Sequence, residues 1–286
     1  MKPSRWTASL LRPGIRLMLA LRMNTKLGLV AVCLALPLCG LMALALGDLR
    51  SRVEFVGSEI EGLAISNQLL DTIVEAQKLR GLTHRWLSGD ASVVAPREDV
   101  QRALNAALDK LDAAIVRPGG NPLASELGPV AEELRSLRQI NAAADPKVTF
   151  DSFTGAIMGL ATLNRLNAER SGLLLDPEPV SYYLVETVVS TLIPQIETAA
   201  LGRGLGAGRL TRGVASALER AELLAISGRL DDGARQVAMS LAAVQRAGST
   251  TPASWPTARG AVTRYSQTIR DTFSSDPLPP QAAAYF

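Results

Sequence analysis

LGLVAVCLALPLCGLMALAL, residues Leu27 to Leu46, carries no charge, and the 26 residues before it hold six bases and no acid. As a helix, 20 residues span a hydrocarbon layer of about 30 Å. The bases Lys2, Arg5, Arg12, Arg16, Arg22 and Lys26 keep the N-terminal side in the cytoplasm, and the first acid is Asp48. The chain therefore reads as a basic cytoplasmic tail (1–26), a single transmembrane helix (27–46) and an extracytoplasmic domain (47–286). Ala43-Leu44-Ala45 resembles a signal-peptidase site, and cleavage after Ala45 would release a helical protein starting at Leu46. The tail and apolar run together exceed an ordinary signal peptide, which favours the anchor. Ala31, Ala35, Cys39, Ala43 and Gly47 form a small-residue strip at every fourth position, either a helix-dimer contact or a result of abundant alanine. Pro37 lies within the span, where a membrane helix tolerates a kink.

The formal charge of +3 comes from the tail. Without its six bases, 24 Lys and Arg face 27 Asp and Glu, a net of −3. A nucleic-acid partner would need a basic stripe on a folded face, and none is readable. Both cysteines, Cys33 and Cys39, fall in the apolar run, so no disulfide is available outside it. With 4% aromatics and abundant Ala and Leu, the composition favours helices over sheets.

After the apolar run, Leu49, Val53, Val56, Ile60, Leu63, Asn67, Leu70 and Val74 repeat in steps of four and three, a heptad seam with one polar place. No breaker separates it from the span, so one helix is expected from the bilayer to Ser88, stopped at Gly89-Asp90. Its outer part would rise roughly 60 Å above the membrane. Further helices are expected over 97–116, 123–141, 148–174, 179–205, 212–247 and 253–274. The separating breaks are Pro118-Gly119-Gly120, Asp145-Pro146, Asp176-Pro177, the glycines around Gly206, and Thr251-Pro252. The fold class is all-α: a transmembrane helix continuing into an up-and-down bundle, or two stacked bundles sharing long helices, with modules near 47–177 and 178–286. Beyond Pro277, Pro279 and Pro280, Gln281–Phe286 reads as the opening of a further helix, as in a fragment of a longer product.

His84 is the only histidine, so neither a zinc set nor a Ser-His-Asp triad is in view, and no pattern points to an enzyme or a cofactor. Gly202, Gly204, Gly206 and Gly208 alternate, but without a preceding strand or a Gly-Lys-Ser/Thr ending they read as a helix stop and flexible turn. Binding chemistry is more promising. At its outer end the seam turns polar at Gln77, Gly81 and His84, with Arg80 and Arg85 beside them. Asn164, Arg165, Asn167, Glu169 and Arg170 form a second cluster. Guanidinium groups present paired donors to paired oxygens, so Gln77, Arg80, His84, Arg85, Asn164, Arg165 and Arg170 are candidates for a small anion such as a carboxylate. Interhelical ion pairs are the competing account.

Gln77-Lys78-Leu79-Arg80-Gly81-Leu82, Leu87-Ser88-Gly89-Asp90, Ser171-Gly172-Leu173, Leu175-Asp176-Pro177 and Ser181-Tyr182-Tyr183-Leu184 together resemble the periplasmic helical sensor regions of bacterial chemoreceptors and sensor histidine kinases. The Gln-x-x-Arg-Gly-Leu stretch is also similar to that of nitrate- and nitrite-sensing helical modules. The resemblance implies a homodimeric input region in the bacterial inner membrane, with most of the chain in the periplasm. A small ligand or a periplasmic protein would shift one helix against another, and the output would be a methylated coiled coil, a kinase or a cyclase. A return helix, a linker module and an output domain, present in such receptors, are not found in this chain. A membrane-anchored helical scaffold that binds another envelope protein is the alternative.

Overall fold

The computed structural model describes residues 14, 19–115, 123–137, 140–274, 277–278 and 285. Lys2, Arg5, Arg12 and Arg16, the Pro118-Gly119-Gly120 break, Pro279-Pro280, and Gln281–Phe286 apart from Tyr285 lie outside these residues. The elements are α1 (Met23–Leu87), α2 (Val94–Ile115), α3 (Ala124–Ser136), α4 (Pro146–Arg170), α5 (Pro179–Glu186), α6 (Ile193–Arg212), α7 (Ala217–Arg246) and α8 (Trp255–Phe273). A π-helical segment, Thr187–Leu192, joins α5 to α6. Among the described residues there is no strand. The fold is all-α, an apolar N-terminal helix leading into helical bundles.

The chain divides into two compact units, Met1–Gly57 and Ser58–Phe286. In the first, α1 carries exposed Leu27, Leu34, Leu38, Leu41 and Leu44 through Leu46, and is long and apolar enough to cross a membrane. The stretch Pro179–Arg212 passes the same test of length and composition. Its Ile193, Ala200, Ala207 and Leu210 are buried in protein, and it carries Glu197, Arg203, Arg209 and Arg212.

The second unit has two principal apolar cores. One joins Ile65, Leu69 and Ile73 of α1 to Leu104, Leu108 and Leu111 of α2, Leu127 and Leu134 of α3, and Phe153, Ile157 and Leu160 of α4, with Ile193 at the start of α6. The other joins Leu210 of α6 to Leu223, Ile226 and Leu230 of α7, Ile269 and Phe273 of α8, and Tyr285. Helix starts are chemically marked. Asp145 accepts a hydrogen bond from the Val148 N–H ahead of Pro146, and Ser216 and Glu219 form a reciprocal capping box on α7.

Two expectations need correction. The break placed around Gly206 lies instead at Gly213, whose φ of +72° ends α6, so the alternating glycines are helix interior. Their role is close packing: a Cβ at Gly206 would lie 2.5 Å from the Tyr285 ring, and one at Gly202 would lie 3.1 Å from the Tyr265 hydroxyl. The heptad seam also fails to coincide with the buried face of α1. Ile60, Leu63 and Asn67 are exposed, whereas Gly62, Ile65, Ser66, Leu69, Ile73 and Ala76 are buried. A straight helix drifts by about 20° per heptad against a 3.5-residue repeat. Continued outward, the same line turns into the protein, where Gln77, Gly81 and His84 are buried.

Gly228 lies inside α7 with open space around its would-be Cβ. Gly228→Ala is expected to stabilise the domain by about 0.5–1 kcal/mol through backbone entropy. Gly206→Ala should cost about 1–3 kcal/mol through overpacking against Tyr285. Paired chemical denaturation of the two variants checks the opposite signs.

Candidate functional site

Gln77, Arg80 and His84 are spaced i, i+3 and i+7, so one face of α1 presents all three side chains. That face meets α6 where both helices are thinnest: a Cβ at Gly204 would stand 3.9 Å from the Gly81 Cα and 2.8 Å from the Phe150 ring. The approach brings Glu197, near the start of α6, to Arg80. Arg80 Nη1 donates to Glu197 Oε1 at 2.6 Å, Nη2 donates to Oε2 at 3.2 Å, and Gln77 Nε2 donates to the same Oε2 at 2.8 Å.

The Arg80 side chain has 0% exposure, against 16% for Glu197. Its Nη1 also donates to Thr154 Oγ1 at 2.9 Å, and its guanidinium carbon stands 4.8 Å from the centre of the Phe150 ring. The Nε is buried without a hydrogen-bond partner among the described residues. A buried guanidinium must be met by an anion, and here a carboxylate fills its fork in bidentate geometry. Removing either partner of such a pair costs about 3–5 kcal/mol.

One turn beyond Arg80, His84 packs edge-on against Phe150, with ring centroids 5.0 Å apart, and its Nδ1 lies 3.4 Å from the Pro146 carbonyl. A Cβ at Gly208 would lie 2.3 Å from His84 Nε2, so glycine makes room for the ring. Burial lowers the imidazole's pKa, the Pro146 carbonyl opposes this, and the charges of Arg209, Arg212 and Arg80 lower it further. Arg203, one turn and a half past Glu197, is pushed below the usual guanidinium value by burial and by the Arg80 charge, while Tyr265 acts the other way. The α1–α4–α6 junction is thus a buried, cation-rich centre.

The remaining sequence candidates are placed elsewhere. Arg85 braces the turn after α1, donating through Nε to Asp90 at 3.0 Å while Asp90 accepts from the Ser92 N–H. Arg165 pairs with Glu169 on the surface of α4, and Arg170 makes an exposed bidentate pair with Glu126 of α3. Asn164 falls on the apolar stripe of α4 with Phe153, Ile157 and Leu160, fully buried, and neither of its amide atoms has a hydrogen-bond partner among the described residues. Neighbouring Asn167 donates to the Gly62 carbonyl at 2.7 Å and to Ser66 Oγ at 2.9 Å, fastening α4 to α1. Sequence reasoning missed Glu197, Arg203, Thr154 and Phe150. One signal was present: Glu197 is the only acid between Glu186 and Glu219.

The buried Gln77-x-x-Arg80-Gly81 face holds the Glu197 carboxylate, and a family model described as nitrate and nitrite sensing matches residues 71–285. The chain belongs to this family. The match takes in the outer part of α1 and every later helix, including both sides of the Arg80–Glu197 contact. No curated protein and no solved structure matches the chain. The nitrate and nitrite sensing domain is an input domain of signalling proteins, and in this chain the described residues of the matched region are helical with no strand.

His84 has a measurable consequence for this domain. Its pKa is lower folded than unfolded, so the unfolded chain takes up the proton first as pH falls below about 6.5. Stability is lost on acidification through that window and retained above it. The His84→Gln variant is expected to lose less stability than the native chain between pH 7.5 and 5.5 in denaturant titrations.

Proposed function

We propose that this chain is the extracytoplasmic input region of a bacterial inner-membrane receptor, of chemoreceptor or sensor-kinase type, that binds nitrate or nitrite at the Arg80 centre. One observation carries the reading. A guanidinium without exposed side-chain surface holds a planar O–C–O group through two donors, with Gln77 supplying a third. Nitrate and nitrite present a planar O–N–O edge of the same kind. Arg203 lies near enough for its charge to act on Arg80, while Arg209 and Arg212 are paired with Glu219 and Glu222.

The membrane part of the proposal rests on the basic flank before Leu27 and the uncharged run to Leu46, with the tail cytoplasmic and the bundles periplasmic. The receptor is a homodimer. Leu49, Val53, Val56, Ile60 and Leu63 leave a heptad line of apolar side chains 48–67% exposed, the pattern that a second copy covers in a parallel coiled coil. The chain itself catalyses nothing. Ligand binding biases two packings of the bundle by its differential affinity for them, and the helices carry the shift.

Calorimetric titration of the whole chain in detergent tests the ligand. Nitrate or nitrite is expected to bind and to raise the thermal midpoint, whereas chloride at equal ionic strength is not. Arg80→Lys, which keeps the charge but loses the fork, should weaken binding by at least about tenfold. Arg170→Ala should leave it unchanged. No heat and no stabilisation at millimolar nitrate or nitrite would remove the reading.

Disulfide trapping tests the dimer. In a chain without Cys33 and Cys39, Val53→Cys is expected to cross-link two copies in membranes far faster than Arg52→Cys, one residue off the seam. Equal rates would mean the seam is not the contact.

A further inference from the structure

Resting on the oxyanion reading above, we infer that Glu197 is a tethered competitor: its carboxylate fills the Arg80 fork, and an incoming planar oxyanion must displace it. Three observations support this. Both terminal nitrogens of the Arg80 fork are already in use, since Nη1, Nη2 and the Gln77 amide are directed at the Glu197 carboxylate oxygens. The Arg80 side chain itself has no exposed surface, so an anion cannot be added from solvent to a free face of the fork. Glu197 retains partial exposure and is the only acid between Glu186 and Glu219. It therefore has a route to water that Arg80 lacks, and no neighbouring acid on its own helix to replace it.

The exchange conserves hydrogen bonds at Arg80. One planar anion leaves the three donors and another accepts from them, while the freed carboxylate moves to solvent or toward the cations on its own helix, Arg203 among them. The site then holds one more negative charge. Competition of this kind scales the affinity of every anion by the same factor, the fraction of time the fork is open. Glu197 thus sets the concentration threshold of the response, and the donor geometry sets which anion is chosen.

Displacement also has a mechanical consequence. Glu197 lies in the first turns of α6, directly after the π-helical segment Thr187–Leu192 and Pro194, where the backbone ladder is already irregular. Its carboxylate ties that end of α6 to Gln77 and Arg80 of α1. Loss of the tie releases α6 from α1 at the irregular turn, and occupancy becomes a change in helix packing.

The test compares nitrate binding to the native chain and to Glu197→Gln by calorimetry, with hydrogen exchange over residues 187–212. Glu197→Gln is expected to bind nitrate more tightly by at least about tenfold, the factor for a fork that the carboxylate fills about nine-tenths of the time. Without nitrate it should show the faster exchange that the native chain shows only with nitrate. Glu197→Ala covers the case in which the first variant is unstable: nitrate, or formate as a free carboxylate, should restore its thermal midpoint, and chloride should not. Equal or weaker nitrate binding by Glu197→Gln than by the native chain overturns the competitor role and leaves the sensor reading standing. Absence of nitrate binding to either chain, with no rescue of Glu197→Ala by nitrate or formate, overturns both.

Discussion

A guanidinium with no exposed side-chain surface forces the protein around it to provide a counter-charge, and Arg80 places that demand on the outer part of α1. Glu197 meets it from α6, Gln77 completes the carboxylate's shell from α1, and Thr154 of α4 accepts the spare Nη1 hydrogen. Three helices distant in sequence are therefore joined at one polar point. Next to Arg80, α1 buries Ala76 and Leu79, and Phe150 of α4 lies beside the guanidinium. A buried ion pair contributes little net stability when compared with well-packed hydrophobic residues. Its value here is positional, since it fixes which residues of α1 and α6 face each other.

The alternating glycines make that meeting possible. Gly204 and Gly208, one turn apart on α6, leave space for Phe150 and His84, while Gly202 and Gly206 leave space for Tyr265 and Tyr285. One helix thus receives the arginine centre on one face and an aromatic pair on another. Tyr285 donates to the Gly202 carbonyl at 3.0 Å and stacks edge-on against Phe273, so the second core closes directly against the helix that carries Glu197. Glycine weakens a helix by about 1 kcal/mol per residue relative to alanine. The tolerance of four such positions in α6 is explained by the close contacts they allow.

Much of the architecture could be read from local chemistry. The apolar run, the helix-favouring composition and the breaks at Asp145-Pro146, Asp176-Pro177 and Thr251-Pro252 correspond to α1, α4, α5 and α8 of an all-α fold. The reading failed where a residue type has two uses. Glycine both ends helices and admits close neighbours, and only the partner across the interface distinguishes the two, as at Gly206 and Gly213. Arginine behaves similarly. Arg80 and Arg170 look alike in sequence, yet one is buried in the centre and the other makes an exposed pair with Glu126.

The sequence by itself determined the all-helical class, the uncharged Leu27–Leu46 helix with its basic flank, and the shared face of Gln77, Arg80 and His84, because each follows from spacing along one segment. Only the tertiary structure decided that Glu197 faces Arg80, that Phe150 lies over its guanidinium, and that Asn164, Arg165 and Arg170 lie apart from that centre. Glu197 is 117 residues from Arg80. Contact at that separation is set by how helices pack, through glycine-lined approach and a buried charge that needs a partner, and neither is written in the residues next to Arg80.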